Sequence, residues 1–154
     1  MSFREKSAWI AVVGTLVIWP YYFLQLWQSY AAGTLQGQAV LNLFLTCFGI
    51  TIVVLLGLNL WAAWLGKHRF GADLDERERN IERRAKVIEA GLLEMMVLGV
   101  AILGVFQATN IAAVYPADPA GATALVIANA ILLVVLISQV GHELALIVQF
   151  RMMD

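Results

Sequence analysis

Polar and apolar positions along the chain sort into four long hydrophobic blocks, joined by two short uncharged or acidic connections and one highly charged one. The blocks run over about residues 7–27, 39–65, 87–109 and 121–150, and each holds the roughly 20 apolar residues that a membrane-crossing helix needs. The pattern predicts an all-α polytopic membrane protein with four transmembrane helices. It forms a single transmembrane domain over residues 1–154, with a charged helical loop at 66–86. The first block follows Arg4 and Lys6 and precedes Ser29-Tyr30-Ala31, which gives it the outline of a secretory leader. Its apolar part is too long for one and carries Trp9, Trp19, Trp27 and Pro20. The expectation is a retained helix bent at Pro20, where the ladder loses an N–H and meets the proline ring.

The charged connection has its own pattern. "DLDERERNIERRAKVIEAGLL" predicts a helix that starts outside the membrane and continues into the third block, with Asp73 or Asp75 as N-cap and acids in the first turn. Asp75 and Glu78 have the spacing of a capping box. Asp75–Arg79 and Glu82–Lys86 are favourable i,i+4 pairs, worth a few tenths of a kcal/mol each. Leu74, Ile81, Ala85, Ile88 and Leu92 make a narrow apolar seam. Two uses stay open: a solvated, salt-bridged stalk with a basic skirt, or a docking surface for a partner or a second copy. Asp75, Glu76, Arg77 and Ile81 are the docking candidates.

The second and fourth blocks also resemble one another. Gly37 opens one, with "GLNL" from Gly57 twenty residues on; Gly121 opens the other, with "GHEL" from Gly141 at the same interval. Tyr30 and Tyr115 precede the two opening glycines, and "GTLVIW" from Gly14 matches "GVAILG" from Gly99 at nearly the same offset. These matches raise the option of a duplicated two-helix hairpin with a pseudo-two-fold axis along the membrane normal. Apolar sequences also match by chance.

Composition strengthens the membrane reading. Of 154 residues, 61% are hydrophobic and 14% charged, whereas a soluble domain carries roughly a quarter charged residues. That excess cannot be hidden in one small core, so lipid is the main solvent. The lone Cys47 excludes a disulfide framework and reads as a small hydrophobe. Charge sets the topology. All ten lysines and arginines lie before the first block, between the second and third, or after the fourth, and "SYAAGTLQGQ" and "VYPADPAG" contain none. The positive-inside rule puts both termini and the charged loop in the cytoplasm.

Ionisable groups within membrane blocks are costly and are functional candidates by default. Glu94 lies eight residues after Lys86, Glu143 eight before Arg151, and Asn59 eight before Lys67. Each is then about 12 Å inside the basic flank of its helix. On the fourth helix Asn129, Gln139 and Glu143 fall within roughly 80° of one another, as one inward polar stripe. His142 points about 100° away from Glu143, so the two cannot face one partner, and Glu89 is about 140° from Glu94. The ion- or proton-binding candidates are therefore Glu94, Glu143, Asn59 and His142, with His142 the least engaged. Glu89 reads as an interfacial residue reaching water or a loop arginine, and Gln107 and Asn110 as interfacial at the opposite end.

Several chemistries fail on residue type. "GHELAL" lacks the second histidine of a zinc-hydrolase helix, since Leu146 stands there. A di-iron site wants Glu-x-x-His, and Gln139 occupies the carboxylate position before His142. Bis-histidine haem would need His68 of the loop to meet His142 of the membrane. A metal on Glu94, His142 and Glu143 meets the difficulty of adjacent ligands on one helix. No phosphate loop, nucleotide motif or nucleophile–base pair is present. The expectation is no enzyme, no cofactor, no metal and no nucleic-acid partner.

Two functions remain. In one, Glu94 and Glu143 form a coupled carboxylate pair near Asn59 in a proton- or cation-coupled transporter or channel, a homo-oligomer because four helices enclose little cavity. In the other, these groups are hydrogen-bond glue between helices. The protein is then a non-transporting accessory or regulatory subunit that meets a membrane or cytoplasmic partner through its charged helix. The stretches "MSFREKSAWI" and "LDERERNIERRA" resemble small, uncharacterised prokaryotic membrane proteins with four spans and a D-E-R motif, here Asp75-Glu76-Arg77, before the third. The resemblance implies a bacterial or archaeal cytoplasmic membrane and supplies no activity or ligand.

Overall fold

A computed structural model describes residues 3–66 and 76–152. Asp73, Leu74 and Asp75, with the side chains of Arg77 and Glu78, lie outside the described residues, and the N-cap, capping-box and Asp75–Arg79 expectations lie there with them. Four helices make up the described chain: α1 (Phe3–Ala31), α2 (Gly37–Gly66), α3 (Glu76–Val114) and α4 (Pro119–Arg151). Each is long and apolar enough to cross a bilayer. The protein is an all-α, four-span membrane protein, and α1 starts at the end of the molecule where α4 finishes.

Local chemistry explains the boundaries. Pro20 sits inside an uninterrupted α1. The helix ends in a Schellman turn: Gly33, at φ 68°, donates its N–H to Tyr30 O, and Thr34 donates to Ser29 O. Only a residue without a Cβ adopts that left-handed conformation without strain. At the start of α4, Asp118 is the N-cap, with Pro119 just inside the helix. Its Oδ1 accepts the Gly121 N–H at 2.9 Å. A Cβ on Gly121 would run into the Asp118 carboxylate, so capping explains this glycine without any repeat.

The charged loop and the third block form one helix, as the pattern predicts. At 39 residues, α3 is about 58 Å long, nearly twice the roughly 30 Å hydrocarbon core. The Glu82–Lys86 pair forms, at 3.7 Å. The apolar seam divides: Ile81 and Ala85 are fully buried, whereas Ile88 is exposed. Ile81, a docking candidate in the sequence, is only 1% exposed and belongs to the protein's own core.

Packing runs in the order α2–α1–α4–α3, with α1 and α4 central. Two cores result. Near the termini, Ala8 and Val12 of α1 meet Ile81 and Ala85 of α3 and Leu146 and Ile147 of α4. Nearer the short loops, Trp19 and Tyr22 of α1 pack with Val40 and Cys47 of α2 and Leu136 of α4. Glycines admit side chains at the helix crossings: a Cβ on Gly14 would lie 2.9 Å from Leu55, and one on Gly141 2.8 Å from Leu92. Such small residues let membrane helices approach. Their counterparts in the proposed repeat, Gly99 and Gly57, have nothing within 4 Å of a built Cβ. The hairpins also join through α1 and α4, positions that a repeat axis would not exchange. The packing thus lacks the symmetry that the sequence matches suggest. The two tyrosines noted in the repeat do meet, with Tyr115 Oη donating to Tyr30 O at 2.8 Å.

Candidate functional site

The termini end of the bundle collects charge where α1, α3 and α4 converge. From α1, Arg4 donates through Nη2 to Glu82 Oε1 of α3 at 3.2 Å. Glu5, one residue on, is 2% exposed and lies 3.5 Å from Arg151 Nε of α4. The Arg151 guanidinium also sits 5.7 Å from the centre of the Trp9 ring, within cation–π range. From α3, Glu89 Oε2 lies 3.2 Å from Nδ1 of His142, which is 6% exposed. The two atoms are in contact without an aligned hydrogen bond.

Glu143 lies within this ring of charge, under the influence of Arg4, His142, Glu82 and Glu89. Its Oε2 is buried with no hydrogen-bond partner among the described residues, as are Arg4 Nε and Gln149 Oε1. Unsatisfied buried polar atoms are uncommon in native proteins and cost free energy unless a bound species satisfies them. Helix periodicity explains the cluster. Ile81 and Ala85 turn into the core of the termini end, which brings Glu82 and Glu89, at flanking positions of α3, to its rim. Leu146 and His142 share one face of α4, four residues apart, so burying one directs the other inward.

The sequence candidates separate. Asn129 is buried and its Oδ1 accepts a hydrogen bond from Tyr22 Oη across α1 and α4, while Nδ2 donates to Leu125 O at 2.8 Å. Gln139 is exposed and Glu143 half-buried, so the expected inward stripe splits. Its helix is flanked by both α1 and α3, and residues tens of degrees apart then fall on either side of a packed edge. Asn59, half-buried on α2, donates to its own backbone at Leu55 O, 2.8 Å away. Glu94 is exposed on α3, in a shallow hollow with Leu93, Val97, Leu98 and Ala101. Asn59, Glu94 and Glu143 share a depth without converging, because depth follows from rise along a helix and convergence from its rotation. The rotation that brings Glu89 to His142 turns Glu94, about 140° away, outward. A metal trio of Glu94, His142 and Glu143 therefore does not form.

His142, the least engaged candidate on the sequence reading, is thus among the most buried polar groups. Arg4, Glu5, Glu89 and Tyr22 were missed as site residues. A signal for the α1 set exists in the spacing of Arg4, Ala8, Val12, Thr15, Trp19 and Tyr22 along one helical face.

Towards the short loops the interior opens. A groove of about 770 Å³ lies between α1 and α4, bordered by Gln107 and Ile111 in the last turns of α3 and open to the surroundings at Leu16, Trp27, Leu133 and Ile137. Its walls are apolar, with Trp19, Phe23, Leu133 and Val140 prominent and Thr15 and Asn129 as polar points. The deepest α4 residue on its wall, Val140, is three residues from Glu143, about 4.5 Å of rise. Compared with known protein families, curated proteins and solved structures, the chain matches none.

Proposed function

We propose that the protein is a small proton-coupled membrane transporter for an amphipathic molecule drawn from the bilayer, with Glu143 and His142 at its proton site. The observation that carries this reading is the adjacency of two unlike regions on α1 and α4. An apolar groove of about 770 Å³, within the range of small-molecule pockets, ends one helical turn from a half-buried carboxylate with one buried, unsatisfied oxygen. Positive-inside topology places the charged cluster towards the cytoplasm and the cavity in the outer half of the membrane. A proton on Glu143 removes a negative charge from a group containing Glu82 and Glu89. Arg4 then engages Glu82 without competition, which changes how α1 is held against α3 and α4. Because α1 and α4 also form the cavity walls, proton occupancy and cavity width are coupled.

Proteoliposomes containing a sealed pH-sensitive dye test this directly with a panel of fluorescent amphiphiles. The wild-type protein should move at least one of them against its own gradient when a pH gradient is imposed. Glu143→Gln should fold, bind the amphiphile and lose the coupling. Equal coupling in wild type and Glu143→Gln would overturn the assignment.

A second reading has its own support. Arg79, Arg83, Arg84 and Lys86 are exposed on the turns of α3 whose other face, at Ile81 and Ala85, enters the core, as a regulatory subunit would present them to a partner. Loss of a co-purifying protein in an Arg79→Gln, Arg83→Gln, Arg84→Gln variant, with no amphiphile transport by the wild type, would favour it.

A further inference from the structure

Pro20 lies in the wall of the groove, with Thr15, Leu16, Trp19 and Phe23 of the same helix. A proline inside a helix has no N–H to give, so the Leu16 carbonyl, four residues back, loses its ladder donor. That carbonyl sits beneath the proline ring, on the wall that Leu16 and Pro20 both line. Hydrocarbon supplies no donor in its place, and next to a membrane proline a hydroxyl often takes over. Thr15, the neighbouring residue, does not: it makes no hydrogen bond among the described residues.

The Thr15 hydroxyl thus behaves unlike those of Ser29, Thr46, Thr51, Thr123 and Ser138. Each of these donates to the carbonyl four residues back, at 2.7–3.0 Å. Thr15 is only 8% exposed, so water from outside the bundle does not serve it freely either. Two polar groups therefore stand side by side in an apolar wall, both able to accept a hydrogen bond and neither doing so within the helix. One and two turns further along α1, Trp19 and Phe23 bring rings to the same wall. Among the described residues no lysine, arginine or histidine lines the groove. Glu143 stands one turn past its deep end at Val140.

We propose that this part of the wall is a head-group site, and that the amphiphile taken by the groove is a primary or secondary amine in its protonated form. The inference names the substrate class of the transport reading above and rests on it for the role of the groove. An ammonium that leaves water needs an acceptor for its N–H groups and a π-rich or negative surface for its charge. The Leu16 carbonyl accepts one N–H and Thr15 Oγ a second, while the Trp19 ring faces the cation. Glu143 adds negative potential at the deep end, with no base on the groove wall to oppose it. The apolar body lies along α4, whose lining residues run from Leu125 to Val140, about 22 Å. A quaternary ammonium brings the charge but no N–H for the two acceptors. A carboxylate gains the Thr15 donor and meets the Leu16 carbonyl with like polarity. An alcohol offers a single O–H and no charge.

Full-length protein in nanodiscs of zwitterionic lipid tests this, with empty discs as the blank. The probes are dansyl-labelled alkyl chains of one length that end in a primary ammonium, a trimethylammonium, a hydroxyl or a carboxylate. Energy transfer from tryptophan should show the primary ammonium bound about tenfold more tightly than each of the others. Pro20→Ala gives the Leu16 carbonyl a ladder donor, so it should raise the melting temperature yet weaken the primary ammonium about tenfold. Thr15→Val keeps the side-chain shape and should weaken the same probe, and neither variant should alter trimethylammonium binding. The proposal fails if any other probe matches the primary ammonium, or if either variant binds that probe like the wild type. Amine binding without flux in proteoliposomes would remove the transport reading and leave the site standing. Flux confined to amphiphiles that lack an N–H would remove the site and leave that reading.

Discussion

The same two helices, α1 and α4, behave in opposite ways at their two ends. Near the termini they close on each other and on α3. Ala8 lies at the contact, and charged side chains cross between helices at 3.2–3.5 Å. Towards the short loops they leave a cavity of about 770 Å³. Side-chain size accounts for much of the difference. Ala8 and Ala85 sit fully buried in the contact at one end, whereas Trp19, Phe23 and Trp27 line the open space beside α4 at the other. Apolar burial supplies little drive for helix association within lipid, so packing fit and polar contacts decide which end is tight.

The largest effect should come from the tight end. Leu146 is 1% exposed in the core that joins α1, α3 and α4, and Leu146→Ala should cost about 2–5 kcal/mol of unfolding free energy. Leu133→Ala, on the cavity wall, should cost much less because the lost methyls already face open space. Unfolding in mixed micelles checks both, and equal losses would contradict the contrast between the ends.

A smaller effect belongs to the polar bridge beside the cavity. Tyr22→Phe removes the hydrogen bond to Asn129 and leaves a buried amide oxygen without that donor. The expected loss is about 0.6–1.7 kcal/mol, the usual range for an interhelical hydrogen bond in a membrane. A double-mutant cycle with Asn129→Ala should show that the two losses do not add.

The smallest effects should differ in sign. Gly141→Ala places a Cβ 2.8 Å from Leu92 Cδ1 and should destabilise the α3–α4 contact by about 1 kcal/mol unless Leu92 changes rotamer. Gly57→Ala, its counterpart in the sequence matches, meets nothing within 4 Å and should stabilise by up to about 1 kcal/mol through helix propensity. Thermal unfolding of the two variants compares them. Equal shifts would restore the structural repeat that the packing lacks.

Much of the fold was legible because it depends on properties that add along a chain. Block length predicted four spans, and the continuous pattern from Glu76 into the third block predicted one long helix. The observed helices extend past the apolar blocks, since polar and aromatic residues at membrane surfaces remain helical and caps such as Gly33 and Asp118 set the ends. The site was legible only in part. Spacing from the basic flanks identified Glu94, Asn59 and Glu143 as residues of one level. It could not say which of them faces a neighbour.

The sequence by itself determined the all-α class, the four spans, and the level of each polar residue along its helix. Those follow from local hydropathy and a constant rise per residue. Only the tertiary structure decided that Glu89 rather than Glu94 meets His142, that Asn129 is bridged by Tyr22, and that Ile81 is core. Rotation about a helix axis changes no hydropathy sum, and inside a membrane nearly every face is apolar enough to be either buried or lipid-exposed. Close approach at Gly141 and Gly14 and the ion pairs at the termini end select one rotation for each helix, and that selection separates the acid in the cluster from the acid on the outer face.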